Sequence, residues 1–457
     1  MPSYTGACRL FRKILGLIYL TAFVSLGLQI TGLIGSQGIL PVGDFLKAVR
    51  EQYGSSAYWD VPTVFWWASS DAALHIACAL GAVCSILLAL EIFPRVMLAL
   101  AFCLYLSLVS AGRIFMGYQW DFLLLEAGFL AIFLKPALAR VWLFQWLVFR
   151  LVFESGEVKL LSGDPTWHNL TAMAFHYQTQ PLPTPLAWYM YQAPIWFQKA
   201  ATLFVFLAEI FVPFLIFGPR RLRHIAAGFL FTLQLLIFLT GNYTFFNLLT
   251  MALCILLLDD SILRWKKEVV VPHANRFVTA ALFVPIILLS SSQLAGMFGH
   301  PFPFPGRIAA AAAPFGVVNT YGLFANMTIT RLEIEIEGSS DGNKWSAYSF
   351  RYKPGDVKRP PPWVAPHQPR LDWQMWFAAL GNYRRNPWFA NFMGALLKGS
   401  PPVLALMEHN PFPNAPPRYI RALMYEYRFT DFATRRATGA WWKRELKGTY
   451  FPTVSLR

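Results

Sequence analysis

The sequence predicts a polytopic α-helical membrane bundle of about nine transmembrane helices, followed by an exported, β-rich, sandwich-like domain with helical insertions. Three observations predict it. Of 457 residues 56% are apolar and 14% charged, more apolar surface than a soluble chain of this size could bury. Apolar runs of membrane length recur through the first 300 residues. From about Pro301 the composition turns aqueous and alternates with the period of strands. The 40 Phe and 17 Trp suit a bilayer, whose two interfaces aromatic rings anchor. Collagen, disordered and disulfide-scaffold classes are excluded. A net charge of +15 would point to nucleic acid in a soluble chain, but here much of it serves membrane topology, so no nucleic-acid partner is expected.

The candidate spans, in order, are Leu15 to Leu33, Ala72 to Phe93, Val96 to Ala111, Trp120 to Leu134, Val141 to Phe153, Trp196 to Phe217, Ile225 to Thr240, Phe245 to Leu258 and Phe277 to Leu294. The fifth is the weakest, because Arg150 and Glu154 interrupt it. The first run is long and lacks a small-residue cleavage pattern, so it reads as an anchor and not a signal peptide. With the N-terminus cytoplasmic and nine crossings, Arg9, Arg12, Lys13, Arg95, Lys135, Arg140, the cluster Arg220, Arg221 and Arg223, and Arg264, Lys266 and Lys267 stay inside. Lys47, Arg50 and Arg113 are exceptions. The C-terminal domain is then exported. The division expected is residues 1 to 297 for the membrane domain, with a re-entrant or exported segment near 154 to 195, and 298 to 457 for the exported domain.

In the aqueous part, Arg331 to Glu337 (RLEIEIE) alternates apolar and charged residues, a Gly and Asp turn follows at Ser339 to Lys344, and Trp345 to Tyr352 alternates again. That is a hairpin pattern. A short helix near Trp388 to Leu397 and strands near Arg418 to Phe429 and Glu445 to Phe451 complete the domain. The five cysteines end at Cys254, so the exported domain has no thiol for a disulfide framework or an exchange centre. This absence points to a bacterial inner membrane in preference to the endoplasmic reticulum. Neither a structural zinc spacing nor any other metal site is present, and no cofactor is expected.

Charged residues within spans are costly in lipid, which makes them functional candidates. The network expected inside the membrane is Arg113, Asp121, Glu126, Arg150, Glu154, Asp164 and Glu209. Asp121 caps a helix, Glu126 meets Arg113 or Arg150, and Glu209 faces the bundle. The richest stretch is Arg150 to His176, where Gly156 permits a bend that brings Lys159 toward Glu154. Two readings are open there. In one, an ion-pair network closes a re-entrant plug; in the other, Lys159 is a catalytic base with His168 or Asp164 as its partner. His168 and His176 are eight residues apart, with no third metal ligand fixed by spacing. Gly241 to Asn247 (GNYTFFN) reads as a capped helical hairpin. His367 to Trp373 (HQPRLDW) is a buried turn or a client surface, in which Arg370 pairs with Asp372 or another carboxylate. No Walker loop, dinucleotide fingerprint, HExxH or GxSxG elbow occurs.

Long blocks carry a family resemblance. Ser162 to Tyr189, Gln119 to Phe133, Thr240 to Thr250, Ile336 to Asp356, Val364 to Leu380 and Trp441 to Pro452 resemble, in order, the lipase maturation factor family. The resemblance implies a multi-pass membrane protein that assists folding of secreted lipases, with its C-terminal domain on the exported side. A folding aid needs no catalytic constellation, so an enzyme is not the leading expectation; the partners implied are the bilayer and an exported client, a lipase. Trp167, His367, Arg370, Asp372 and Trp373, with Trp188 to Tyr191 and Trp373 to Phe377, are the expected surface for sheltering apolar client segments. A second segment, SGEVKL (Ser155 to Leu160) followed by DPTW, is similar to the stretch that carries the lysine base in the vitamin K-dependent carboxylase membrane family. That similarity implies an intramembrane enzyme with Lys159 as base.

Overall fold

The structure, a computed structural model, describes residues 3–135, 137–262, 276–300, 302 and 306–456. Arg264, Lys266, Lys267 and Pro301 lie outside the described residues. The longer helices of the first part are α1 (Thr5–Gly27), α2 (Asp71–Ala89), α3 (Pro94–Gly112), α4 (Gln119–Ile132), α5 (Leu138–Leu161), α6 (Ala172–Thr179), α7 (Ile195–Phe206), α8 (Arg220–Thr240), α9 (Phe246–Cys254) and α10 (Arg276–Met297). Starts follow local chemistry: Ser70 accepts from the N–H of Ala73 to cap α2, and Pro94 opens α3 where a missing N–H costs nothing.

Six stretches among the described residues are long and apolar enough to cross a membrane: Thr5–Gly27, Asp71–Ala89, Pro94–Phe115, Ile195–Phe217, Arg220–Thr240 and Phe277–Met297. Nine such helices are not found. The 14 residues of α4 span about 21 Å, short of the roughly 30 Å hydrocarbon. Helix α5 is long but carries Arg150, Glu154, Glu157 and Lys159, and α9 with its 3-10 extension stops at Leu257.

Hydrogen bonds sort the helix ends into two groups. At one end Ser3 donates to Asp260 (2.6 Å), Arg12 pairs with Glu91, Arg140 donates to the carbonyl of Phe133, and Arg220 pairs with Asp259. At the other, Ser25, Asp121 and Asn242 meet the C-terminal part. Short α4 and α9 thus also reach from one group of contacts to the other. Their sides touch protein: Trp120, Leu123, Leu124 and Leu125 of α4 are buried, as are Leu249, Leu253 and Leu256 around α9. At Gly128 of α4 an added Cβ would lie 1.9 Å from the hydroxyl of Tyr19, so α1 can approach α4 this closely only because that position lacks a side chain.

The C-terminal part holds β1 (Arg331–Ser339), β2 (Ser346–Ala347), β3 (Ser349–Phe350), α11 (Arg370–Ala379), α12 (Pro387–Leu397), β4 (Met407–His409), β5 (Tyr419–Phe429) and β6 (Trp442–Ser455). The expected β1–β2 hairpin forms, pairing Glu337 with Ala347, and Asp341 accepts from the N–H groups of Asn343 and Lys344 to close its turn. Antiparallel pairing gives a four-stranded sheet in the order β2-β1-β5-β6; β3 and β4 form a separate ribbon. Ile334, Ile336, Ile420 and Ala422 are fully buried. The layer covering the sheet is largely helical, with α11 against β1 and α12 against β5, where the sandwich expectation had a second sheet.

Candidate functional site

The membrane network is completed by a segment that the sequence reading put with the exported domain. Residues 316 to 327, after the last span, thread back into the bundle. Glu126 forms an ion pair with Arg150, both fully buried, and its other oxygen accepts from Tyr321 Oη (2.8 Å), Asn319 N (3.0 Å) and Asn319 Nδ2 (3.1 Å). Arg150 also donates to the carbonyl of Asn319 (2.8 Å). Glu154 accepts from the N–H of Tyr321 (2.7 Å), Asp164 from that of Met327 (2.6 Å), and Trp167 donates to the carbonyl of Phe324 (3.0 Å). Bonds from Met327 and Thr166 outweigh burial at Asp164 and hold its carboxyl below the usual range. Of the predicted network, Glu126, Arg150, Glu154 and Asp164 therefore share one partner segment. Arg113 does not join; its guanidinium lies over the ring of Phe45, 4.4 Å from the centroid.

Lys159 takes a partner the sequence did not suggest. Its ammonium meets Glu209 at 2.7 Å and the carbonyl of Ser155 at 2.7 Å, 5.4 Å from the centre of the Trp167 ring. Glu154 is bound to Tyr321 instead, and His168 is exposed. The convergence of Lys159, His168 and Glu154 that a lysine-base enzyme requires is absent. Gly156 does not bend α5, which runs unbroken; a Cβ there would come within 2.8 Å of Ile210 and 3.0 Å of Glu209. The wide π-helical turn Leu207–Phe211 that continues α7 adds a residue to the turn and carries Glu209 against this gap.

Beside the pair lies a cavity of about 100 Å³, walled by α5, α7, α8, α9 and residues 323 to 324. His176, Tyr243, Gln234 and Asn247 supply its other polar groups. Burial and the nearby Lys159 push the His176 imidazole down to about 4, so it is neutral at pH 7. The GNYTFFN turn joins α8 to α9, but its two amides cap neither helix: Asn242 accepts from Val364 and Ala365, Asn247 donates to Gln234, and Tyr243 and Asn247 line this cavity. Phe324 (φ 56°) and Thr244 (φ 58°) hold left-handed backbone beside it, a conformation that costs a non-glycine residue about 1 kcal/mol or more.

Most of the expected client surface is an internal joint, although Tyr189 and Phe377 are 46% and 41% exposed. Arg370 is buried and bonds both oxygens of Asp121 in α4 (2.8 and 3.0 Å) and the carbonyl of Phe115; Tyr105 donates to the same carboxylate (2.5 Å). Asp121 is thus the carboxylate partner, not Asp372, which accepts from the N–H groups of Tyr352 and Lys353 (both 2.9 Å). Burial pushes Asp372 up to about 6 despite those bonds. Ser25 accepts from the N–H of Gln368 (2.9 Å), and its hydroxyl shares a hydrogen bond with His367 Nδ1 (2.9 Å). Burial and the charges of Arg370 and Arg351 lower His367 to about 4. Trp167, Trp188 and Trp373 are 2% exposed or less, and so cannot shelter a client. A second joint uses Arg331, which donates to the carbonyls of Gln178, Gln180 and Pro181 and pairs with Glu333. A third uses Asn242, which accepts from the N–H groups of Val364 and Ala365 (2.7 and 3.0 Å).

The family model described as the lipase maturation factor transmembrane domain matches residues 7–265, and that of the lipase maturation factor C-terminal domain matches residues 317–452. Lipase maturation factor 2 of Gallus gallus is 36% identical over 98% of this chain and 81% of its own length; that of Homo sapiens is 33% identical over 98% and 82%. Lipase maturation factor 1 of Bos taurus is 34% identical over 97% of this chain and 88% of its own. None of these matches is to the carboxylase family, and these vertebrate relatives lend no support to a bacterial inner membrane. No solved structure matches the chain. A multi-pass helical domain joined to a C-terminal domain of sheets and helices, matched by both models in order, makes this chain a member of the lipase maturation factor family.

Proposed function

We propose that this chain assists the maturation of exported lipases from within a membrane, holding partly folded client on the exported face of its C-terminal domain. The observation that carries this reading is the match of both family models along the chain, with relatives of that name aligned over nearly all of it. The joints at Arg370, Arg331 and Asn242 support it physically, because they fix the sheet against the bundle. Among the described residues its edge strand β6 has no neighbour on the far side, and Leu446 on it is 54% exposed. An edge strand offers a row of free N–H and C=O groups to an extended client segment. The buried tryptophans are replaced in this role by the β6 edge.

In this reading the N-terminus is cytosolic and the chain crosses nine times, with α4, α5 and α9 shielded from lipid by their neighbours. The grouping of Arg12, Arg140 and Arg220 at the end away from the sheet supports that orientation. A translocation reporter fused after Arg457 should be active and one after Pro219 inactive; the reverse pattern overturns the topology. For function, a secreted lipase is co-expressed in cells lacking such a factor, and its activity per molecule secreted is measured. The chain should raise that activity, and Leu446→Lys should reduce the gain severalfold while leaving the protein inserted. A lipase whose activity does not respond to the chain overturns the reading.

A further inference from the structure

The cavity beside Lys159 carries hydrogen-bonding capacity that the protein does not use. Asn247 lines the cavity and is 1% exposed; its Nδ2 donates to Gln234 Oε1 at 2.7 Å, while its Oδ1 has no partner among the described residues. A buried amide oxygen left unpaired is costly, so a donor belongs there. The hydroxyl proton of Tyr243 goes to Gln180 Oε1 (2.9 Å), and His176 Nε2 lies 3.3 Å from the Tyr243 oxygen. Among the described residues Lys159 is the one cation in the wall, and it is committed to Glu209 and Ser155. The site therefore asks for a neutral donor and has no free positive charge for a phosphate or carboxylate.

The surroundings supply the rest of the ligand. Leu151, Val152, Val205, Leu233, Ile237 and Phe246 make most of the wall apolar. Helix α8 packs closely on the 3-10 turn Val212–Phe217 that follows α7, but α7 itself meets α8 sparsely, near the stacked rings of Phe204 and Phe229. Near that contact Leu203, Leu207 and Leu236 face outward. Size discriminates too. At about 100 Å³ the cavity is comparable with the ≈ 150 Å³ apolar void that admits benzene, so a hydroxyl and its nearest carbons fit and a phosphocholine head does not.

We propose that this cavity binds the polar end of a neutral membrane lipid bearing a free hydroxyl, of the diacylglycerol or sterol kind. The hydroxyl donates to Asn247 Oδ1, and the hydrocarbon leaves between α7 and α8.

Full-length protein in nanodiscs is exposed to three photoreactive, clickable probes, a diacylglycerol, a sterol and a phosphatidylcholine, and labelled peptides are mapped. One hydroxyl probe should label α7 and α8 near Val205, Leu233 and Ile237, and which one does identifies the source. Excess unlabelled lipid of the same class should compete, and phosphatidylcholine should not. Asn247→Leu should lower labelling roughly tenfold, the worth of one buried hydrogen bond. Ile237→Trp should fill the cavity and abolish labelling, whereas lipid-facing Leu235→Trp should leave it unchanged. Equal labelling by the phosphatidylcholine probe, or no competed labelling by either hydroxyl probe in the wild-type protein, overturns the proposal however the variants fold.

Discussion

Lys159 and Glu209 are separated by 50 residues of sequence and joined by one 2.7 Å contact. Removing either partner strands a charge in a buried site, so Lys159→Ala should lower thermal stability by about 3 to 5 kcal/mol, and Lys159→Arg, which keeps the charge, much less. The double replacement Lys159→Met with Glu209→Leu should recover most of that loss, since an apolar pair of similar volume is often as stable as a buried ion pair. Detergent-solubilised melting curves of the four proteins check this; a double variant as unstable as Lys159→Ala would show that the charges do more than satisfy each other. At the domain joint, Arg370→Ala leaves Asp121 buried without its two donors. It should reduce the amount of full-length inserted protein severalfold, while Asp372→Asn, whose carboxylate serves a local turn, should cost less. Quantitative blotting of membrane fractions distinguishes the two. Glu126 and Arg150 were legible as a pair from their charge within apolar runs. Their third partner was not, because Asn319 and Tyr321 lie 169 or more residues away from them and read as ordinary loop residues.

At the scale of elements, periodicity gave the hairpin, the helix near Trp388 and both long strands, because each is written in adjacent residues. What periodicity could not supply is the meeting of elements. The π-helical turn at Leu207–Phe211 has no local signature, and Gly156 looked like a bend when it is a place of close approach. Gly156→Val should push the turn away from α5 and open the Lys159 pair. The expected outcome is a loss of several degrees in Tm together with new reactivity of Lys159 toward a membrane-permeant amine reagent. An unreactive Lys159 in a destabilised Gly156→Val protein would show that the turn moves as a unit with the lysine. Six of the nine expected spans have the length and hydropathy of a lipid-crossing helix; α4, α5 and α9 do not, being buried in protein, where length and charge are less restricted than against lipid.

The molecule as a whole behaves as one coupled body, which gives it a definite pH dependence. His176 and His367 are held near pKa 4, below the roughly 6.5 of an unfolded chain. As pH falls from 6.5 toward 4 the unfolded chain takes up those protons first, so stability that is complete above 6.5 is progressively lost. Asp372, raised to about 6, works in the opposite direction: its folded form protonates first, adding stability as pH falls through 6. With two histidines against one carboxyl, Tm should fall by a few degrees between pH 7.5 and 5. His176→Gln with His367→Asn should flatten that slope, and Asp372→Asn should steepen it. Identical slopes in all three proteins would place the titrating groups elsewhere. Family, membrane class and the order of the two parts were legible over the whole chain; the joint between the parts was not, since Arg370 and Asp121 meet across 249 residues.

Residues 316 to 327 also bear on how the chain is made. They emerge from the ribosome after every described span, yet Glu126, Arg150 and Glu154, synthesised long before, depend on them for hydrogen bonds. The bundle therefore waits, incomplete at its centre, until the downstream segment has been delivered and has folded back. A chain stopped at residue 300 should insert its spans and then be degraded quickly, whereas one stopped at residue 330 should survive longer; pulse-chase lifetimes of the two would show it. Equal lifetimes would mean that the early helices close around their charges unaided. For a member of a family named for the maturation of lipases, the last stretch of its own membrane core is something it must itself wait for.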